Sequence, residues 1–329
     1  MGGARGELSF RTQVVISGIA GRFPECDDVQ ALREALLRGA DLLTADDRRW
    51  SIDHPEIPPR SGKINGLEKF DASFFSVHFK QAHTMDPQCR LLLERAYEAI
   101  VDAGVNPRSL RGKKVGVYVG VCFSESEKTW FYEKLQLSGF GITGCCRAML
   151  ANRISYWLGV KGPSFAVDTA CSSSMFALKE AYDAIQSGQV ECALVGGTNL
   201  VLHPYVSLQF MRLGVLSKEG MCRPMDEDAN GYTRSEAIAA VFLQRANDAR
   251  RVYATVVNAA VNCDGYKEQG ITYPSGQAQA ELMRDTCRDA GVDPGSLAYV
   301  EAHATGTRVG DPEELAALDM IYSVEPGRK

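Results

Sequence analysis

The residues best suited to chemistry lie where a short apolar segment gives way to small residues around Cys171. The segment Phe165 to Ser174 reads FAVDTACSSS, and the apolar residues that follow it recur at helical spacing: Met175, Leu178, Tyr182 and Ile185. This pattern predicts a strand, a turn and a helix that begins at Cys171. Free backbone N–H groups and the positive end of the helix dipole would favour a thiolate there and receive a developing oxyanion. The alternative reading is a buried structural cysteine before a serine-capped helix.

A second candidate group lies far along the chain, where a predicted strand ends at His303. The sequence HATGT from His303 to Thr307 combines an imidazole, the hydroxyls of Thr305 and Thr307, and a permissive backbone. These groups suit the polarisation of a carbonyl or carboxylate. A lone histidine is more often structural than catalytic. Beside a cysteine at a helix terminus, however, the catalytic interpretation of His303 is favoured.

Two other motifs do not support a function. Residues Gly139 to Gly144 match the dinucleotide pattern GxGxxG, but a mixed polar segment precedes them instead of a buried strand. Asp226, Asp228 and Asn230 resemble the opening of a calcium loop, yet Ala237 occupies the position that requires glutamate. We interpret the first motif as a glycine-rich turn and the second as a polar turn.

Apolar strands alternate with amphipathic helices along the chain, with a long connecting loop over 39–70. Besides the strand, turn and helix at Cys171, strands are predicted near 14–19, 115–121, 192–197, 237–243, 252–261 and 298–302, and helices near 28–37, 87–103, 145–158, 277–290 and 312–322. This alternation predicts an α/β fold with largely parallel sheets. The strand–loop–helix units at Cys171 and His303 resemble each other, so we expect both loops at the same end of their sheets.

Composition excludes several classes of protein. The 329 residues are 45% hydrophobic and 23% charged with a net charge of −5, so no nucleic-acid partner is indicated. An apolar run long enough to span a membrane is absent from the sequence. Met1 to Gly6 resembles neither a signal peptide nor a myristoylation site. Ten cysteines without a CxxC pair favour neither a disulfide framework nor a zinc site, so a reducing, cytoplasmic location is expected.

Long ordered motifs identify the family that the sequence resembles. DTACSSS at Asp168 to Ser174 resembles the active-site signature of β-ketoacyl synthases, and EAHATGT at Glu301 to Thr307 resembles their second motif. Further matches are MDPQ from Met85 and RLLLE from Arg90. Animal-type fatty acid synthases share the finer features: DRRW from Asp47, QAHT from Gln81 and KEQG from Lys267. The similarity extends over nearly the whole chain.

The resemblance implies a thiolase-like layered α/β fold with two pseudo-equivalent halves. The halves would be residues 1–245, which hold the nucleophile, and 246–329, an incomplete second half. Proteins of this type usually work as homodimers. The region would bind no cofactor or metal of its own, because the substrate arrives on the phosphopantetheine arm of an acyl carrier protein.

The resemblance also implies a decarboxylative Claisen condensation. Cys171 would accept an acyl group from a thioester, and His303 would assist decarboxylation of the incoming malonyl thioester. Thr305 and Thr307 would contact the pantetheine arm. Asp168 and the serines at 172–174 would support the nucleophile turn, and the backbone N–H of Cys171 would form part of the oxyanion hole.

The sequence departs from the family pattern in two places. Ala304 replaces a glycine, which is a strained substitution if the local φ is positive. The positions that would hold the second catalytic histidine, a lysine and a glycine-rich loop lie beyond the residues matching Ile321 to Lys329. We therefore expect the 329-residue polypeptide alone to be inactive in condensation and poorly soluble.

Two alternatives to a fatty acid ketosynthase remain open at this point. One is the ketosynthase of an animal-type polyketide synthase, and the other is a non-catalytic fragment that dimerises with intact subunits. A basic cluster at Arg108, Arg111, Lys113 and Lys114 either docks an acidic carrier protein or forms a solvated turn, and the turn is the simpler interpretation.

Overall fold

The computed structural model describes residues 12–133 and 139–323. Met1 to Gly6, interpreted above as lacking a targeting signal, lies outside the described residues. Within those ranges the strands are β1 (Val14–Arg22), β2 (Leu43–Thr44), β3 (Ser61–Gly62), β4 (Val115–Val121), β5 (Ser164–Val167), β6 (Cys192–Asn199), β7 (Ala237–Arg245) and β8 (Ala254–Val256).

Ten α-helices lie within the same described ranges. They are α1 (Val29–Leu37), α2 (Phe79–Thr84), α3 (Pro87–Asp102), α4 (Glu125–Lys128), α5 (Phe140–Cys145), α6 (Ala148–Leu158), α7 (Ser173–Gln186), α8 (Pro204–Arg212), α9 (Gly276–Ala290) and α10 (Gly310–Tyr322). None of them is long and apolar enough to cross a membrane.

The main sheet of the described region has six strands in the order β5-β4-β6-β7-β1-β8. Strands β5, β4 and β6 are parallel neighbours, whereas β7 pairs antiparallel with β6 and β1, and β8 pairs antiparallel with β1. The prediction of largely parallel sheets is therefore wrong for three of the five strand pairings in this sheet. After β6 a long connection that includes α8 leads to β7, which runs antiparallel to β6. Hydropathy alone does not reveal this direction.

Helices cover both faces of this sheet. Alternate side chains of β4 point to opposite faces, as a strand requires. Val117 and Val119 join a buried cluster with α3 and α6, whereas Tyr118 joins another with α7. The parallel part of the sheet is thus a middle layer between helices, and its fully buried β4 explains the uninterrupted apolar run in the sequence.

Three predicted elements differ from the structure. The strand near 252–261 is only β8, because beyond it the chain leaves the ladder with β1. Residues 298–302 pair with no strand of the described region, and the side chain of Tyr299 is 80% exposed. The helix expected over 145–158 begins only at Ala148, as α6, because Cys146 is extended with ψ of 131° and separates it from α5.

The predicted loop over 39–70 is fixed to the sheet by a buried ion pair. The Arg49 guanidinium donates two hydrogen bonds to Glu236, at 2.8 and 2.7 Å, and the Glu236 side chain is fully buried. The same carboxylate accepts the backbone N–H groups of Ile64 at 2.8 Å and Val201 at 3.2 Å. One carboxylate therefore joins the loop to the start of β7 and the end of β6.

Arg49→Ala is expected to destabilise the fold by about 3–5 kcal/mol, because it leaves the Glu236 charge buried without its partner. Chemical denaturation gives the free energy of unfolding. Arg212→Ala is the matched control, since its pair with Glu56 is exposed and should contribute no more than about 1 kcal/mol. Equal losses in both variants would contradict the role of Glu236 in fixing the loop.

Candidate active site

Cys171 lies at the predicted helix start. A single 3₁₀ turn, Ala170–Ser172, follows β5 and leads directly into α7. Ala170 adopts a positive φ of 55°, which turns the chain sharply and presents the Cys171 side chain at the surface. A residue other than glycine with a positive φ carries backbone strain, and such strain is typical of turns at functional sites.

Neighbouring side chains hold this turn in place. Ser173 Oγ accepts the backbone N–H of Thr169 at 2.9 Å and donates to the carbonyl of Ala170 at 2.6 Å. Asp168 accepts the Ala170 N–H at 3.1 Å and the Arg147 guanidinium at 2.6 Å. Asp168 and Ser173 thus act on the backbone rather than on the Cys171 sulfur, which agrees with the supporting role expected from the sequence.

His303 lies on a loop that is fixed independently of the cysteine turn. Glu314 on α10 accepts the backbone N–H groups of His303 at 2.7 Å and Ala304 at 2.8 Å, one with each carboxylate oxygen. Two charge-assisted hydrogen bonds restrain the rotation of this peptide. The first turns of α10 therefore fix the backbone that carries the His303 imidazole.

A buried carboxylate holds the other end of the same loop. Asp311, 5% exposed, accepts the Gly306 N–H at 3.0 Å and the Met225 N–H at 2.8 Å. The Gly231 N–H in turn donates to the Gly306 carbonyl at 2.9 Å. Residues near 225 and 231, far away in the sequence, therefore form part of the support for the His303 loop.

The structure brings Cys171 and His303 together. A hydrogen bond from the His303 imidazole is the main cause that lowers the pKa of the Cys171 thiol, and partial burial opposes it. The backbone N–H groups of Cys171 and Ser172 act in the same direction as the imidazole. The same hydrogen bond raises the pKa of His303. Both changes in pKa favour a thiolate beside a protonated imidazole, and the thiolate is the nucleophilic form of cysteine.

Buried cysteines of the core have the opposite character. Burial raises the pKa of Cys89, Cys145 and Cys192 to about 12. These three side chains are inert thiols that pack as small apolar groups. All ten cysteines of the chain are free.

The two threonines after His303 contact each other. Their hydroxyl oxygens lie 3.1 Å apart, and Thr307 Oγ1 also accepts the N–H of Gly310 at 3.1 Å. Thr307 therefore helps to begin α10. Thr305 and Thr307 flank the Gly306 turn, so both hydroxyls lie on the same short loop as His303.

Ala304 has a φ of 44°, so the substitution identified in the sequence is the strained case. An alanine in the left-handed region costs roughly 1–2 kcal/mol relative to its ordinary conformation, which glycine avoids. We expect Ala304→Gly to raise the free energy of unfolding by about 1 kcal/mol. Ala302→Gly, two residues away and at ordinary φ, should lower it. A loss of stability in Ala304→Gly would contradict the strain.

The basic cluster is far from this site. Arg108, Arg111, Lys113 and Lys114 precede β4, whereas Cys171 follows the carboxyl end of its parallel neighbour β5. The seven residues of β4 separate the two ends by roughly 20 Å. The solvated turn stays the simpler interpretation of this cluster.

Three residues that support the site were missed by the sequence interpretation. Arg147 acts through Asp168, and Asp311 and Glu314 act through backbone N–H groups. The two acidic residues lie near the start of the helix predicted near 312–322, a position where carboxylates are common. Their contact with the preceding loop is visible only in three dimensions.

Comparison with known proteins agrees with the geometry. Residues 11–249 match the family described as Beta-ketoacyl synthase, N-terminal domain, and residues 253–329 match Beta-ketoacyl synthase, C-terminal domain. A fatty acid synthase from Anser anser anser is 53% identical over 309 residues, covering 94% of this chain and 88% of that protein. A highly reducing polyketide synthase from Glarea lozoyensis is 41% identical over 270 residues, covering 81% of this chain and 10% of that protein.

Solved structures show the same similarity in three dimensions. The ketosynthase from module 6 of the bacillaene synthase of Bacillus subtilis superposes with a TM-score of 0.87 at 34% identity. The alignment covers 96% of this chain and 55% of the bacterial chain, so this chain spans about half of that relative. The match supports the thiolase-like layered fold predicted from the sequence motifs.

Proposed function

This chain belongs to the β-ketoacyl synthase family, and on that premise we propose that it carries out carbon–carbon bond formation in fatty acid biosynthesis. It is a ketosynthase region closely related to animal fatty acid synthase. The observation that carries the proposal is the pairing of a lowered thiol pKa at Cys171 with the imidazole of His303 at the start of α7.

In the first step, the Cys171 thiolate attacks the carbonyl of an acyl thioester. A tetrahedral oxyanion forms, and the backbone N–H groups of Cys171 and Ser172, at the start of α7, are suited to stabilise it. The C–S bond of the donor then breaks, the acyl group remains on Cys171, and the donor leaves as a thiolate that takes a proton from water. His303 gives up its contact with the sulfur once the charge has passed to the leaving thiol.

In the second step, a malonyl thioester on the phosphopantetheine arm of an acyl carrier protein loses CO₂. The electron pair of the broken C–C bond becomes an enolate, whose oxygen accepts a hydrogen bond from His303. The enolate carbon attacks the acyl–Cys171 carbonyl, and the C–S bond breaks to release a 3-ketoacyl thioester and the Cys171 thiolate. Thr305 and Thr307 contact the arm beside the His303 loop.

We propose two further properties of the protein. The protein acts as a homodimer, since β5 is the edge strand of the described sheet and its outer backbone groups suit pairing with a second copy. The location is the cytoplasm, because ten free thiols fit a reducing compartment. The halves 1–245 and 246–329 remain a proposed division.

The product tests the function. A synthase polypeptide that carries this sequence is supplied with an acyl thioester and malonyl-loaded carrier protein, and the released thioester is analysed by mass spectrometry. A product two carbons longer than the acyl donor, with a 3-keto group and one CO₂ released, supports the proposal. Absence of chain extension in a protein whose Cys171 becomes acylated would refute the condensation step.

Polyketide synthesis is the second candidate, because several polyketide synthases are 36–41% identical to the chain. The higher identity of 53% to fatty acid synthase favours fatty acids. Full reduction of each 3-keto product before the next extension would agree with fatty acid synthesis. Retention of keto or hydroxyl groups in the final product would favour the polyketide alternative.

A further inference from the structure

Two glycines lie directly beneath the beginning of α7. Gly120 on β4 and Gly197 on β6 are paired in the parallel register. A Cβ atom at Gly120 would lie 2.4 Å from the backbone N of Ser174 and 2.5 Å from the carbonyl carbon of Ser173. At Gly197 it would lie 3.1 Å from Ser174 Cβ. At these two glycines, the start of α7 therefore packs directly against the backbone of β4 and β6, with no side chain between them.

This close contact matters because the two reacting groups are anchored separately. Cys171 moves with the turn at the start of α7, and α7 packs on β4 and β6. His303 is held by Glu314 on α10 and, through Gly306, by Asp311. Within the described residues, no main-chain hydrogen bond joins the two turns. The distance between Cys171 and His303 is therefore set by how closely α7 packs against the sheet.

We propose that Gly120 and Gly197 form a glycine floor that positions Cys171 against His303. Lifting α7 by the thickness of a methyl group would lengthen the hydrogen bond from imidazole to sulfur. Both glycines are positioning residues that never touch the substrate. The proposal rests on the proposed function only in treating Cys171 as the reacting thiol.

The test measures the thiol without any acyl substrate. Alkylation of Cys171 by iodoacetamide is followed by mass spectrometry across pH, and the inflection of the rate reports the pKa of the thiol. In Gly120→Ala the inflection should move to higher pH, and the reaction at neutral pH should slow about tenfold for every pH unit that it moves. Gly197→Ala should move it less, and adding Ser174→Gly should restore the original inflection because it removes the contacting Cβ.

Gly196→Ala is the matched control. Gly196 lies next to Gly197 but faces the other side of the sheet, where a Cβ would lie 3.0 Å from a Leu92 methyl group. This variant should leave the inflection unchanged. Cys89 and Cys192 must stay unlabelled in every variant, which shows that the core is folded.

The outcomes decide the proposal. An unchanged inflection in folded Gly120→Ala would overturn it, as would an equal displacement in Gly196→Ala and Gly197→Ala. If Gly120→Ala does not fold, Gly197→Ala is the deciding variant. An inflection that moves in Gly197→Ala and returns when Ser174→Gly is added supports the glycine floor. An unchanged inflection in Gly197→Ala overturns the proposal. Acyl transfer to Cys171 is measured separately, so failure here leaves the proposed function standing.

Discussion

Cys171→Ala is expected to abolish acyl loading and to lower the condensation rate of a synthase carrying this sequence on the order of 10⁴-fold or more. Alanine offers no nucleophile, so the covalent acyl intermediate cannot form. The folded state should survive, because the Cys171 side chain is exposed and the turn is held by Asp168 and Ser173. The measurements are incorporation of a radiolabelled acyl group and release of the 3-ketoacyl product.

Cys263→Ala is the matched control for this experiment. Cys263 is also an exposed free cysteine, but it lies outside the turn and the His303 loop. Its replacement should leave acyl loading within about twofold of the wild-type level, as surface substitutions away from a site usually do. Undiminished condensation in Cys171→Ala would show that another group carries the acyl chain.

His303→Ala is expected to raise the pKa of the Cys171 thiol, because the hydrogen bond from the imidazole is the largest cause that lowers it. A lowered thiol pKa keeps the sulfur ionised as the pH falls, and a raised His303 pKa keeps the imidazole charged as the pH rises. Removing His303 removes the hydrogen bond that stabilises the thiolate, so the thiolate forms only nearer the ordinary thiol pKa.

The expected result is a pH-dependent defect. Alkylation of Cys171 should slow at neutral pH by about tenfold for every pH unit by which the thiol pKa rises, and recover above the ordinary thiol pKa. Condensation should fall further, by about 10²–10⁴-fold, because the enolate also loses its hydrogen-bond donor. His203→Ala, at the start of α8, is the control and should change neither quantity. A rate of alkylation equal to the wild-type rate at every pH would mean that His303 does not activate the thiol.

The two candidate reacting groups could be selected from the sequence, whereas their supports could not. Cys171 and His303 stand out because each follows an apolar segment and precedes a helix, and short-range patterns record such positions. Glu314 and Arg147 do not stand out in the sequence. Glu314 accepts a backbone N–H group and Arg147 donates to a carboxylate, and both partners come within reach only after folding. The strain at Ala304 likewise depends on a backbone angle that residue types do not specify.

Fold prediction succeeded and failed for a similar reason. Strands β4 and β6 were clear because burial on both faces produces uninterrupted apolar runs. The direction of β7 was not clear from the sequence, because a strand has the same hydropathy whether it pairs parallel or antiparallel with its neighbours. Residues 298–302 have the composition of a strand, but a strand exists only where a neighbour supplies hydrogen bonds.

The central claim is that the Cys171 thiolate, activated by His303, is the group that receives the acyl chain. The most direct test incubates a synthase polypeptide that carries this sequence with a short-chain acyl thioester at neutral pH and maps the acylated residue by mass spectrometry of its peptides. We expect one hydroxylamine-sensitive acyl group, on the peptide containing Cys171, with the peptides of Cys89, Cys145 and Cys192 unmodified. Acylation at a different cysteine, with Cys171 unmodified in the folded protein, would contradict the claim.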